Sequence, residues 1–200
     1  MEVQAHGNYY EDLKTRQITG LSKADYDALK DNGYTSGMDI MKGLLSANDY
    51  SIKTTNGNRV DCGDILRRRD EKEYHLVVAQ WEQAGENKVF YNEYTFFIKP
   101  EHEYKLWGKM NYNLLADYCT YIKNIPAGKE AQQETKTERT VLKNCVEDKN
   151  ALFKIHPKVD SKKQRRVQCS LNIKELLKAD IPCYQRVIRE TVHSPSRQFN

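Results

Sequence analysis

The five cysteines of this 200-residue chain, Cys62, Cys119, Cys145, Cys169 and Cys183, include no Cys-x-x-Cys pair. Their scatter argues against a structural zinc site and a disulfide framework, and suits small core or boundary residues in a reducing compartment. No apolar run approaches the roughly 18 to 20 residues that span a bilayer. The opening residues Met1-Glu2-Val3-Gln4-Ala5-His6 lack the basic-then-apolar pattern of a secretory signal, so a cytoplasmic location without a membrane partner is expected. Also missing are the Gly-x-x-x-x-Gly-Lys, Gly-x-Gly-x-x-Gly and Gly-x-Ser-x-Gly motifs, which disfavours nucleotide-driven motors, any nucleotide cofactor and serine hydrolases. His6, His75, His102, His156 and His193 stand apart, with no His-Asn-His or zinc spacing among them.

What is present suits one globular domain over residues 1–200 with a modest core, since 38% of the residues are hydrophobic and 30% charged. The expected fold is α/β: a mixed central β-sheet flanked by α-helices, with a core over about 6–125. A C-terminal part over about 150–180 follows, and the polar tail 193–200 reads as disordered. The net charge of +4 is mild, so its distribution carries more than its sum.

In chain order, residues 6–18 read as a short helix with Tyr10 and Leu13 near one face and Glu11 on the flank. Ser22 reads as the N-cap of a second helix, with Asp25 in its first turn and Asn32-Gly33 as its stop. Asp39 is placed at a strand end, and Lys42-Gly43 is a turn. Tyr50 to Thr55 reads as a strand with Ser51 and Lys53 on one face; Asn56-Gly57-Asn58 then predicts a hairpin with Arg59 to Leu66 as the return strand. His75 to Trp81 is the central strand and Lys88 to Ile98 its aromatic neighbour. The sheet is thus assembled from the Asp39, Ser51, Val60, Val77 and Phe90 segments. A single helix is expected from Leu106 to Ile125, then a polar stretch Lys129 to Arg139 that is either helical or a connection. The final unit runs from Phe153 to Ile173 into a helix over Lys174 to Ala179.

Asn48-Asp49-Tyr50-Ser51-Ile52-Lys53-Thr54-Thr55 organises the rest. A lysine displayed on a strand beside acids from other segments is what a metal-dependent phosphodiesterase needs, because carboxylates hold the cation and the ammonium steadies the attacking water or the pentavalent phosphate. Glu11, Asp39 and the Ser51-x-Lys53 strand together resemble the PD-(D/E)XK superfamily of nucleases, and within it the type II restriction endonucleases. In that family an acid at a strand end is followed, after a hairpin, by acid-x-Lys on the next strand, and a helical Glu adds a ligand. Here Met38 precedes Asp39 where the family has proline, and Ser51 fills the slot of the second acid, so Glu11, Asp49 or Asp61 would complete the cation site. The resemblance implies a restriction endonuclease-like core, Mg²⁺ as cofactor, double-stranded DNA as substrate and a homodimer. Asp39, Glu11, Asp49 and Asp61 are its candidate metal ligands, and Lys53 its catalytic lysine beside Ser51.

Two stretches are candidate DNA contacts. The turn Thr54, Thr55, Asn56, Asn58 and Arg59 offers small hydroxyl and amide groups beside a cation. Lys158 with Lys162, Lys163, Gln164, Arg165 and Arg166 interleaves cations with glutamine, the types that meet phosphates and read bases. A plain turn and a solvated surface loop are the ordinary readings of these two stretches. A non-catalytic DNA-binding protein and an RNA nuclease or toxin are the alternatives. The thirteen tyrosines, with Tyr91, Tyr94, Phe96 and Phe97 on one strand, fit sheet packing better than base stacking.

Overall fold

The computed structural model describes residues 5–30, 37–160 and 162–195. They form a mixed α/β protein with a four-stranded mixed sheet, a three-stranded antiparallel sheet and helices. The chain divides into two compact units, Met1–Val60 with Glu73–Ile98 and Ile181–Asn200, and Asp61–Lys72 with Lys99–Asp180. Residues 125 and 150 both fall within the second unit.

The first unit holds helices α1 (Ala5–Thr19) and α2 (Lys23–Ala28). Ser22 caps α2 as expected, its hydroxyl accepting the Asp25 amide proton at 3.1 Å. The expected stop at Asn32-Gly33 lies outside the described residues. The sheet order is β1 (Tyr50–Thr55), β3 (Tyr74–Ala84), β4 (Asn87–Ile98), β7 (Cys183–His193). Strands β1 and β3 run parallel; β4 is antiparallel to both β3 and β7. Gly85, at φ +61°, makes the left-handed turn that closes the β3–β4 hairpin. Beneath α1 and α2 the sheet presents Ile52, Val77, Ala79 and Phe90 against Tyr10, Tyr26 and Ile40, every one of them buried. Because these side chains recur at spacing two in the strands, one sheet face is committed to the helices.

A polar clamp crosses that face. Glu93 on β4, 2% exposed, accepts hydrogen bonds from Tyr10 Oη, Lys14 Nζ and Arg186 Nε, so α1 and β7 are tied through one carboxylate. Burial pushes the Glu93 carboxyl up, but the bonds from Arg186, Tyr10 and Lys14 outweigh it and hold the group below its ordinary value.

The second unit contains most of β2 (Arg59–Asp64), followed by α3 (Ile65–Asp70), whose N-cap Asp64 accepts from the Arg67 amide. Helices α4 (Glu103–Trp107), α5 (Tyr112–Asn124), α6 (Lys129–Glu134) and α7 (Lys136–Val146) precede the hairpin β5 (Lys154–Val159) and β6 (Arg165–Asn172). Helix α8 (Ile173–Lys178) follows, and the second sheet has the order β2-β6-β5. Trp107 stacks on Phe153 at 4.1 Å between ring centroids, within a core that includes Leu106, Leu115, Ile122, Ile155 and Cys169.

Four expectations are corrected. Strand β2 does not return along β1; it belongs to the other sheet. A tight Asn-Gly hairpin needs positive φ at its centre, and residues 56–58 have none. Instead Thr55 Oγ1 donates to the Arg59 carbonyl and accepts from the Gly57 amide, while Gln80 Nε2 donates to the Gly57 carbonyl, and the chain leaves the sheet. Second, the Val60 segment is therefore absent from the first sheet, and its fourth strand is β7. Third, the Asp39 segment contributes one isolated bridge, Ile40 to Tyr50, rather than a strand. Fourth, the Leu106 to Ile125 helix is two helices. Gly108 ends α4 at φ +54°, where a Cβ would collide with the Asp148 carboxylate, and Asn111 caps α5 afresh. The polar stretch after it is helical. Of the tail expected to be disordered, His193 ends β7 and residues 196–200 lie outside the described residues. Among the described residues no helix is long and apolar enough to cross a membrane.

Candidate functional site

The site grows from the outer edge of β1. Residues 39 and 40 run along that edge: the Tyr50 carbonyl accepts from both the Asp39 and Ile40 amides, and the Tyr50 amide donates to the Ile40 carbonyl at 2.8 Å. Met38 and Ile40 are buried at 5% and 0% exposure, so alternation turns the side chain between them outward. Asp39 Oδ2 then accepts the Ile52 amide proton at 2.5 Å and the Lys53 ammonium at 3.2 Å. Two residues that the sequence set 14 apart thus meet, although no hairpin joins them.

Glu11 arrives from α1. Burial raises its carboxyl above the ordinary range, the charge of Asp39 raises it further, and Lys23 and Lys53 pull it back. Mutual repulsion of two carboxylates is the electrostatic mark of a cation site, since a divalent ion relieves it. Lys23 Nζ stands 3.1 Å from Glu11 Oε1 and also bonds Asp27 Oδ2. Asp27 Oδ1 in turn meets Lys30 Nζ at 2.8 Å, and Lys30 donates to the Asp39 carbonyl at 3.1 Å. Three acids and three lysines therefore alternate from Glu11 round to Lys53.

Sequence reasoning missed Lys23 and Lys30. The spacing of Lys23 and Asp27 by four positions was the available signal, but it speaks only of an ordinary intrahelical pair. That Lys23 also reaches α1 follows from the packing of the two helices, which the Asp12 carboxylate reinforces by accepting the Lys23 amide proton at 2.7 Å.

The remaining candidates separate. Ser51 is 0% exposed, in register with Leu76 of β3, so its hydroxyl faces packed chain rather than solvent. Asp49 Oδ1 accepts the Lys42 amide proton at 2.7 Å, closing the loop before β1. Asp61 lies on β2 in the second unit. Among the described residues no three His, Cys, Asp or Glu side chains are placed to hold a metal. The pair that remains, Glu11 and Asp39, fits Mg²⁺, which binds through one or two carboxylates plus water and substrate phosphate. The bonds above leave Glu11 Oε2 and Asp39 Oδ1 for it.

Of the turn residues, Asn56 and Arg59 are exposed, while Thr54, Thr55 and Asn58 are half-buried. In the second unit the β5–β6 register sets Lys158 opposite Arg166, two like charges on one face, and the connecting loop exposes Lys162, Lys163 and Gln164. Asp160 shapes that loop by accepting the Lys162 and Gln164 amide protons. Like charges facing across a ladder destabilise it, so the arrangement suits an anionic partner. Arg165 is different: its guanidinium donates to the carbonyls of Ile125, Pro126, Asp160 and Gln164, which spends it on the fold.

No protein-family model, curated protein or solved structure matches the chain.

Proposed function

We propose that this chain is a restriction-type endonuclease that hydrolyses phosphodiester bonds of double-stranded DNA with Mg²⁺, built on a restriction endonuclease-like core. The observation that supports it best is the contact of Lys53 with Asp39 at the edge of β1, with Glu11 of α1 near enough for both charges to act on its carboxyl. Glu11 and Asp39 hold the cation, which when bound acts as a Lewis acid on the phosphate and acidifies a water. Lys53, held by Asp39, orients the attacking water or steadies charge on the phosphate. Ser51 has no part in ligation, so Glu11 takes the place of the missing acid. Lys158, Lys162, Lys163, Gln164 and Arg166, with Asn56 and Arg59 on the other unit, contact DNA, and the working form is a cytoplasmic homodimer.

A second reading has one observation in its favour: among the described residues no three acids are placed to hold a metal. A non-catalytic DNA-binding protein would look the same. Incubating plasmid DNA with the protein in Mg²⁺ or EDTA separates the two. Discrete fragments that appear only with Mg²⁺ bear out the endonuclease; a retarded but intact band in both turns the reading to a binder, and cleavage of RNA alone to a ribonuclease.

A further inference from the structure

Lys23 Nζ stands between two carboxylates, 3.1 Å from Glu11 Oε1 and bonded to Asp27 Oδ2. The side chains of Lys23 and Glu11 are 18% and 19% exposed, so water screens their attraction only in part. The main chain of Lys23 is anchored independently of its ammonium, because its amide donates to Asp12 Oδ1 at 2.7 Å. Lys53 offers the contrast: among the described residues its ammonium bonds one acid, Asp39. Each of the two proposed ligand acids thus carries one ammonium. Only Lys23 has a carboxylate outside that pair to which it can withdraw.

Glu11, Asp27 and Asp39 are matched in number by Lys23, Lys30 and Lys53, so the ring as a whole offers a dication no net attraction. Entry of a divalent ion then depends on which ammonium can step aside. We infer that Lys23 is the built-in counter-ion of the cation site: it holds Glu11 while the site is without metal, and it withdraws to Asp27 when Glu11 takes up a divalent ion. Asp27, itself no ligand, thereby tunes the metal affinity from beside the site. Lys53 has no such second anchor and stays on Asp39, where the proposed chemistry needs it.

This role for Lys23 rests on the proposed Mg²⁺ site, and the two fail separately. The test is calorimetric titration of the full chain with Mg²⁺, without DNA, for the parent, Lys23→Met, Asp27→Asn and the double variant. Lys42→Met, which removes an exposed cation of the loop before β1, controls for net charge. Methionine keeps most of the apolar stem of lysine, and circular dichroism verifies each fold. Lys23→Met is expected to bind Mg²⁺ about tenfold more tightly than the parent, and to melt at a lower temperature without Mg²⁺ because Glu11 and Asp39 then repel unrelieved. Asp27→Asn leaves Lys23 with Glu11 alone and is expected to bind about tenfold more weakly; in the Lys23→Met background the same change loses most of its effect. Lys42→Met keeps the Kd near that of the parent. Equal or weaker binding by Lys23→Met, an equal gain from Lys42→Met, or an Asp27→Asn effect of one size in both backgrounds overturns the counter-ion while the Mg²⁺ site stands. No Mg²⁺ binding by either the parent or Lys23→Met overturns both.

Discussion

Lys53 and the Ile52 amide converge on a single atom, Oδ2 of Asp39, at 3.2 and 2.5 Å. The carboxylate is thereby fixed by the main chain of β1, and the lysine is fixed by the carboxylate. One oxygen builds the fold; the other stays outside these bonds. This division gives the site a rigid acid without consuming it, the condition for a preorganised cation site.

Lys53→Ala is expected to lower Mg²⁺-dependent cleavage by at least about a hundredfold while leaving DNA affinity near its starting value, as a lost general base or charge stabiliser does. Plasmid cleavage alongside filter binding reads both quantities. Retained cleavage removes Lys53 from the chemistry.

Asp39→Asn keeps an acceptor for the Ile52 amide, so the protein should fold as before. It removes the charge that a divalent ion requires, and calorimetric titration with Mg²⁺ should show binding lost together with cleavage. Unchanged Mg²⁺ affinity would refute Asp39 as a ligand.

Glu11→Gln should raise the melting temperature at neutral pH when Mg²⁺ is absent. The Glu11 carboxyl is raised in the folded state by burial and by Asp39, so its contribution favours folding at low pH and is lost as pH rises through the folded value. The stabilisation by glutamine should shrink toward acid pH. A variant equally stable or weaker than the parent at neutral pH contradicts the strained acid pair.

Glu93→Gln leaves the ammonium of Lys14 and the guanidinium of Arg186 without their shared counter-ion, at a cost of about 3–5 kcal/mol. The carboxyl is held below its ordinary value of 4.5, so its stabilisation is present above that pH and lost as pH falls below it. Urea melts at neutral and acid pH should therefore converge for parent and variant only at the acid end.

Replacing Lys162 and Lys163 by alanine should reduce the slope of log affinity against log salt by about 2, one for each phosphate no longer neutralised. Arg165→Ala should instead destabilise the protein, because its guanidinium ties four carbonyls together. A slope change from Arg165 and none from the lysines would exchange their roles.

Much of the candidate site was legible before the structure. β1 spans Tyr50 to Thr55 as its period-two pattern requires, and its spacing after Asp39 pointed to the pair that meets. The left-handed Gly43 makes the expected turn in between. Ser51 was read from its identity as no ordinary metal ligand, and in the structure its side chain is buried. The error at Asn56-Gly57 came from reading a dipeptide as a turn type: the same two residues fit a loop without positive φ once Gln80 and Thr55 hold it.

By itself the sequence located β1, β3, β4 and the capped start of α2, because periodicity and caps are local properties. Only the tertiary structure decided the neighbours: β3 rather than β2 beside β1, β7 at the open edge, Lys23 against Glu11. Alternation tells a strand which way its side chains point and nothing about which strand lies beside it. The charges that shift Glu11 likewise come from three segments that only packing brings together.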